Sequence, residues 1–254
     1  MRSVISFPYA GETLIGTLDA ASGTTGLLIV SGGNEIRCGA HRGMALLAQA
    51  VSAAGHPVFR YDRRGIGDST GANRGFLSAR EDLIAAAAAF RAHAPRLDRI
   101  VGFGNCDAAS TLALFGRDAG IDRLLLANPW TIEETDALPP AAAIRATYRQ
   151  RLTDLAAWRR LLTGRIDLVK AMKGLRKAAA AAPQALATRV VSAIDEWGDA
   201  ATVLLASGDA TAQAYAAAAR HLPATRIDTA SHSFARPEDQ RALRSAVLTA
   251  LAYR

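Results

Sequence analysis

Short apolar runs alternate along the chain with longer stretches in which apolar residues recur every three or four positions. Residues 2–7 and 12–18 predict two strands, split by Pro8, Tyr9, Ala10 and Gly11 as a hairpin. Gly26 to Val30 is a continuous apolar run ending in Ser31, Gly32, Gly33 and Asn34, which predicts a buried strand entering a loop. Residues 41–54 carry Met44, Leu47, Ala48 and Val51 on one helical face and stop at Gly55. A strand at 57–61 and the turn at 62–69 follow, then a helix at 78–93, a strand at 99–104, a helix at 107–118 and a strand at 123–127. From about 130 to 200 the alternation lapses. There Leu152, Leu155, Trp158 and Leu162, then Ile166, Val169, Met172 and Leu175, recur at helical spacing. The alternation resumes with a strand at 202–206, a helix at 210–221, a strand at 225–228 and a last helix from near Pro237. Parallel neighbours need a crossover, so this order predicts an α/β protein with a mostly parallel central sheet flanked by helices. The core is expected from 1–129 and 200–254, with a helical cap insertion at 130–199.

Composition narrows the class. Of 254 residues, 50% are hydrophobic and 21% charged, which excludes a disordered or fibrous chain. No apolar run approaches the ~18 residues a membrane span needs, and Ser6, Tyr9 and Glu12 interrupt any secretory signal. A soluble, cytoplasmic protein is expected. Two cysteines supply neither a disulfide framework nor a tetrahedral zinc cage. Gly65 and Gly67 lack the third glycine and later acid of a dinucleotide site, so no metal and no cofactor are expected.

The net charge of +7 is unevenly spread. Between Arg145 and Arg189 eleven Lys and Arg face only Asp154 and Asp167, a local +9 that leaves the remaining chain at −2. Such a block suits a phosphate-bearing substrate, an acidic carrier protein or an anionic membrane surface, or it is simply a solvated Arg-rich face. Nucleic acid fits poorly, because Tyr148 and Trp158 are the main aromatics in the block and no binding motif is present. Nothing in the sequence reports an oligomeric state.

The chemistry concentrates where the strand at 99–104 runs through Gly104-Asn105-Cys106-Asp107-Ala108 into a helix. A nucleophile on that turn needs small residues two before and two after it, which Gly104 and Ala108 supply for Cys106. Making Asp107 the nucleophile would put Asn105 where glycine is wanted. A helix N-terminus also favours thiolate over thiol; the plain alternative is a buried structural cysteine. Asp209 and His232 each follow a predicted strand, where sites form in open α/β sheets. The order nucleophile, acid, histidine is that of an α/β hydrolase triad. Asp228 and Asp199 are the fallback acids. His41 and His93 fall inside helices, His56 precedes a strand, and His221 ends a helix. Backbone N–H groups of Gly33, Asn34 and Asp107 are the expected oxyanion donors. Glu35 either touches the thiol or faces solvent. Cys38 reads as a small packed residue, and 62–69 as a sharp structural turn from which Arg63 or Arg64 would meet a substrate carboxylate.

Together these residues resemble the α/β hydrolase superfamily and, more narrowly, the hydrolases found beside the exosortase A system, of the "hydrolase 1" type. The matching stretches are Ser-Gly-Gly-Asn-Glu-Ile-Arg-Cys-Gly-Ala-His-Arg-Gly (31–43), Tyr-Asp-Arg-Arg-Gly-Ile-Gly-Asp-Ser (61–69), Asn-Cys-Asp-Ala-Ala-Ser (105–110) and Ser-Gly-Asp-Ala-Thr-Ala-Gln (207–213). The resemblance implies a capped hydrolase linked with bacterial exopolysaccharide or surface-sorting gene clusters. Cys106 with Asn34, Glu35 and Ile36 is also similar to dienelactone hydrolases, which implies a Cys-His-Asp triad with Glu35 activating the thiol; the long insertion at 130–199 departs from that group. The expected reaction is hydrolysis of an ester, thioester or lactone of a small acyl substrate, CoA- or carrier-linked in one reading, through an acyl-Cys106 intermediate. The rivals are an acyltransferase with the same triad, and a catalytically idle fold that docks through its basic cap.

Overall fold

The computed structural model describes residues 1–133 and 185–253. The first hairpin pairs β1 (Arg2–Tyr9) with β2 (Glu12–Asp19) in continuous antiparallel register from Arg2 opposite Asp19 to Tyr9 opposite Glu12. Ala10 and Gly11 form the two-residue turn, at φ 49° and 82°, the left-handed pair that matches strand twist. Both strands therefore run to the turn itself, and Pro8 and Tyr9 belong to β1. The remaining strands are β3 (Thr25–Val30), β4 (Val58–Tyr61), β5 (Arg99–Asn105), β6 (Arg123–Ala127), β7 (Ala201–Ala206) and β8 (Thr225–Ile227).

These eight strands form one sheet in the order β1-β2-β4-β3-β5-β6-β7-β8. All pairings from β4 onward in that order are parallel, while β2 pairs antiparallel with both neighbours. This is the α/β hydrolase arrangement, as expected. Its carboxyl strand ends share one edge, where Cys106, Asp209 and His232 emerge.

Alternation along each strand feeds two cores. Leu27, Ile29, Val101, Phe103, Leu125 and Leu204 pack under α1 (Gly43–Ala53) and the C-terminal helix, Pro237–Ala252. Leu28, Val30, Ile100, Leu124, Leu126 and Leu205 face the opposite layer. That layer holds α2 (Arg80–His93), α3 (Asp107–Phe115), α4 (Ala185–Trp197) and α5 (Ala210–Ala218); the C-terminal helix is α6. Strands buried on both faces explain why β3, β6 and β7 are almost wholly apolar.

Helix α4 falls within the stretch expected as cap, 130–199. Leu186, Val190, Ile194 and Trp197 of α4 recur one helical turn apart and are buried in the second core. The Trp197 indole N–H donates to the Ala113 carbonyl of α3 at 3.0 Å. Among the described residues, the apolar stripe of α4 is covered by α3 and its neighbours. Arg189 lies exposed on the other face of α4. The rest of the expected cap, and with it the basic residues from Arg145 to Lys177, lies outside the described residues. Replacing Ile194 by alanine is expected to cost ~2–5 kcal/mol in urea unfolding; a loss under 1 kcal/mol would remove α4 from the core.

Candidate active site

Cys106 sits between β5 and α3 with φ 64° and ψ −129°, a left-handed conformation that a side chain adopts only when its surroundings enforce it. Its amide donates to the Ala127 carbonyl at 3.0 Å, and its carbonyl accepts from Ala109 and Trp130. The turn brings strand and helix so close that a β-carbon on Gly104 would lie 2.7 Å from the backbone of Ala108. Gly104→Ala is therefore expected to cost ~1–3 kcal/mol in unfolding free energy and to blunt Cys106 alkylation. Gly43→Ala, whose β-carbon would meet nothing within 4 Å, is the control and should not destabilise.

Asp209 is the N-cap of α5. One carboxylate oxygen, Oδ2, accepts the Ala212 N–H at 2.9 Å, which leaves Oδ1 for His232 Nδ1 at 3.0 Å. The His232 loop is itself braced: the Thr229 hydroxyl donates to Asp239 at 2.7 Å and accepts from Ser231 N–H at 3.0 Å, and the Ser231 hydroxyl accepts from Ala235 N–H at 2.9 Å. With Nδ1 committed to Asp209, Nε2 remains for Cys106. The hydrogen bond to Asp209 and then that to Cys106 push the His232 imidazole up to about 10, against desolvation. Burial pushes the Asp209 carboxyl up, but hydrogen bonds from His232 and the amides of α5 outweigh it and hold the group below its ordinary value. Both shifts express one ion pair and count once.

A histidine raised from its unfolded value of ~6.5 stabilises the fold fully below that pH and loses its contribution as pH rises through about 10. Asp209→Asn keeps a side-chain acceptor for the α5 cap but removes the charge. The His232 ring should then titrate well below about 10 by NMR, and stability should depend less on pH between about 6.5 and 10. A ring still titrating near 10 would rule out Asp209 as its partner.

Cys106 and His232 line a cavity of about 120 Å³ with Val30, Ser31, Gly32, Gly33, Glu35, Met44 and Asn105. Glu35 is brought to this rim, where its Oε2 accepts Ala40 N–H at 3.3 Å. The loop after β3 departs from expectation. Gly33 donates its N–H to Asp107 Oδ1 at 2.6 Å, so this expected oxyanion donor is already engaged. Asn34 is not a cavity-lining residue, and its Oδ1 accepts from Asn73 Nδ2 at 2.9 Å. Gly32 stands against the nucleophile instead: a β-carbon there would lie 3.5 Å from that of Cys106 and 2.5 Å from the Asn105 carbonyl. Among the described residues, the amides of Gly32 and Asp107 have no protein acceptor. Gly32 carries no periodic signal in the sequence, because the Asn105 carbonyl and Asp107 carboxylate that crowd it arrive only on folding.

Arg63 and Arg64 are also redirected. Buried Arg63 donates to the Gly33 carbonyl and lies 3.6 Å from the Asp107 carboxylate, so the Gly33 peptide is gripped from both sides. Arg64 pairs with Asp82, donates to the Ser78 carbonyl and lies over Tyr9. Neither guanidinium is free for a substrate carboxylate. Asp62 accepts from the backbone of Arg37 and Asp68 and pairs with the Arg37 guanidinium, which makes 62–69 the structural turn expected. Cys38 is half-buried, with its sulfur 3.7 Å from the Gly39 carbonyl. A larger groove of about 960 Å³ opens at the amino ends of β7 and β8. It is lined by neither a cysteine nor a histidine, whereas Cys106 and His232 line the smaller cavity.

No protein-family model matches the chain, and no curated protein matches it. Among solved structures it is similar to DcsB in complex with its substrate analogue, at 16% identity and TM-score 0.65 over 99% of this chain and 98% of that one. An esterase of Pyrococcus furiosus matches at 14% identity and TM-score 0.65, over 99% and 90% of the two chains. A protein of Xanthomonas campestris, described as an α/β serine hydrolase without a lid, matches at 17% identity and TM-score 0.60, over 98% and 93%. At these identities the likeness is one of fold, and the fold is that of the α/β hydrolases. Among the described residues, no helix is long and apolar enough to cross a membrane.

Proposed function

We propose that the protein is a hydrolase that opens an ester or thioester through a covalent acyl group on Cys106. The observation that carries this reading is the hydrogen-bonded pair of Asp209 and His232, whose ring lines one cavity with Cys106 at a strained strand-to-helix turn. The Cys106 sulfur attacks the carbonyl carbon, a C–S bond forms, and the carbonyl oxygen takes the negative charge. The unengaged amides of Gly32 and Asp107 are the donors that meet this charge, each worth ~3 kcal/mol of barrier. His232 Nε2 passes the thiol's proton to the departing oxygen or sulfur. It then takes a proton from water, whose attack on the thioester releases the acid and restores the thiol. Asp209 holds the ring's tautomer throughout. Glu35, on the cavity rim, is the residue that would act on the thiol before substrate arrives.

A lactone is the cyclic form of the same substrate class. A CoA- or carrier-borne acyl group would suit the basic stretch from Arg145 to Arg189, and the resemblance to exosortase-associated hydrolases supports a role beside bacterial exopolysaccharide genes. The first test incubates wild type, Cys106→Ala and His232→Ala with p-nitrophenyl esters and acyl-CoAs and follows intact mass. Wild type should carry an acyl adduct that vanishes in Cys106→Ala, and His232→Ala should form it ~10²–10⁴-fold more slowly. Transfer of the adduct to an added alcohol or thiol faster than to water would assign an acyltransferase. No adduct, with Cys106 no more reactive than a free thiol, would leave a binding protein on a hydrolase fold.

A further inference from the structure

The segments that carry the three site residues meet at one buried side chain, Asn128, immediately after β6. Asn128 is fully buried and has φ 42°, a left-handed conformation in which asparagine is tolerated far better than most side chains. Its Oδ1 accepts the Ala206 N–H at 2.8 Å. A backbone N–H only donates, so this bond fixes which way the amide is turned. Asn128 Nδ2 must then face the other way, where it donates to Asn105 Oδ1 at 3.0 Å and to the His232 carbonyl at 3.3 Å. With its Oδ1 so occupied, Asn105 turns its own Nδ2 to the same His232 carbonyl at 3.0 Å. Orientation thus propagates from the end of β7 through two amides to the backbone of His232.

Each contact reaches a different part of the site. Asn105 directly precedes Cys106. Ala206, whose N–H Asn128 holds, accepts the Asp209 N–H through its carbonyl at 3.0 Å. Ala127, directly before Asn128, holds the Cys106 amide. We infer that Asn105 and Asn128 form a two-amide clamp on the His232 carbonyl and are the positioning residues that set the imidazole between Cys106 and Asp209. This rests on the proposed role of His232 as acid and base, but the clamp itself is geometric. Neither amide needs to touch substrate. An apolar side chain at either position would take one of its two donors from the His232 carbonyl, and with both lost the loop would keep the Gly208 N–H on the Thr229 carbonyl and the bond of His232 to Asp209.

The test uses Asn105→Ala, Asn128→Gly and the double variant. Glycine at 128 keeps the left-handed backbone at no steric cost, so that variant removes the amide and not the conformation. Three readouts are taken: NMR titration of the His232 ring, iodoacetamide alkylation of Cys106 against pH, and ester turnover. In each variant the ring should titrate below its wild-type value of about 10, and the alkylation profile should move toward that of His232→Ala. Turnover should fall ~10–100-fold in kcat with KM unchanged, the size of effect an ångström of misplacement produces. Because the two amides act as one unit, the double variant should be little worse than either single one. Asn128→Asp, which keeps the acceptor for Ala206 but sets a carboxylate against two oxygens, should be impaired at least as much as glycine. Thermal midpoints separate folding from positioning, and if Asn128→Gly does not fold, Asn105→Ala decides. A lowered midpoint with unchanged His232 titration and alkylation profile overturns the clamp. Shifted titration and alkylation in a protein that turns over no ester would keep the clamp and overturn the hydrolytic reading instead.

Discussion

The site depends first on the turn that forces Cys106 into a left-handed backbone. Such a conformation costs ~1–3 kcal/mol and persists only where the surroundings over-determine it. Here they do so from several directions: Gly104 allows β5 to meet Ala108 of α3, and Ala127 and Trp130 hydrogen-bond the Cys106 peptide on both sides. The reward is placement. The sulfur projects from the carboxyl edge of the sheet, the first amides of α3 are left without acceptors, and neither condition survives if β5 and α3 separate.

Once that turn exists, the remaining parts are set by hydrogen bonds between main chain and side chain more than by packing. Asp209 divides its two oxygens between the α5 cap and His232. The Gly33 peptide is held through its N–H by Asp107 and through its carbonyl by Arg63. That bracing fixes the loop in which Gly32 approaches Cys106, so a carboxylate next to the nucleophile serves as scaffold. Rigid support of this kind is what a reaction needs when a small misplacement lowers its rate steeply.

The sheet was largely legible because a doubly covered parallel strand has to be a continuous apolar run, and 25–30, 99–105, 123–127 and 201–206 are such runs. Cys106, Asp209 and His232 stood out by their place after strands and their chain order, and folding brings Cys106 and His232 to one cavity with Asp209 bonded to the ring. Two kinds of feature were not legible. Helix α4 sits in a stretch whose helical periodicity suits a cap as well as a core layer, and only the partner face, on α3, distinguishes them. The engagement of the Gly33 amide was not legible either, because its acceptor is a side chain 74 residues away. Long-range polar pairings carry no periodic signal. Asn128 escaped notice for the same reason: its partners are Asn105, Ala206 and His232, all brought together only by folding.

A high imidazole pKa suits one half of the proposed reaction better than the other. Expelling a leaving group requires a proton on His232, whereas activating water requires the neutral ring. At about 10 the resting histidine is almost fully protonated near neutrality. Its two upward causes, however, differ in fate. In the proposed cycle the hydrogen bond to Asp209 persists, while that to Cys106 ends when the sulfur becomes a thioester. Desolvation then acts against a single carboxylate, and the ring loses protons more readily in the acyl-enzyme than in the free protein. Under the proposed reaction, acylation of Cys106 would thus turn its neighbouring ring from a proton donor into a better acceptor. This coupling operates only while His232 stays within reach of both Asp209 and Cys106. That is why the backbone carbonyl of His232 is tied to the strand ends rather than left to the loop.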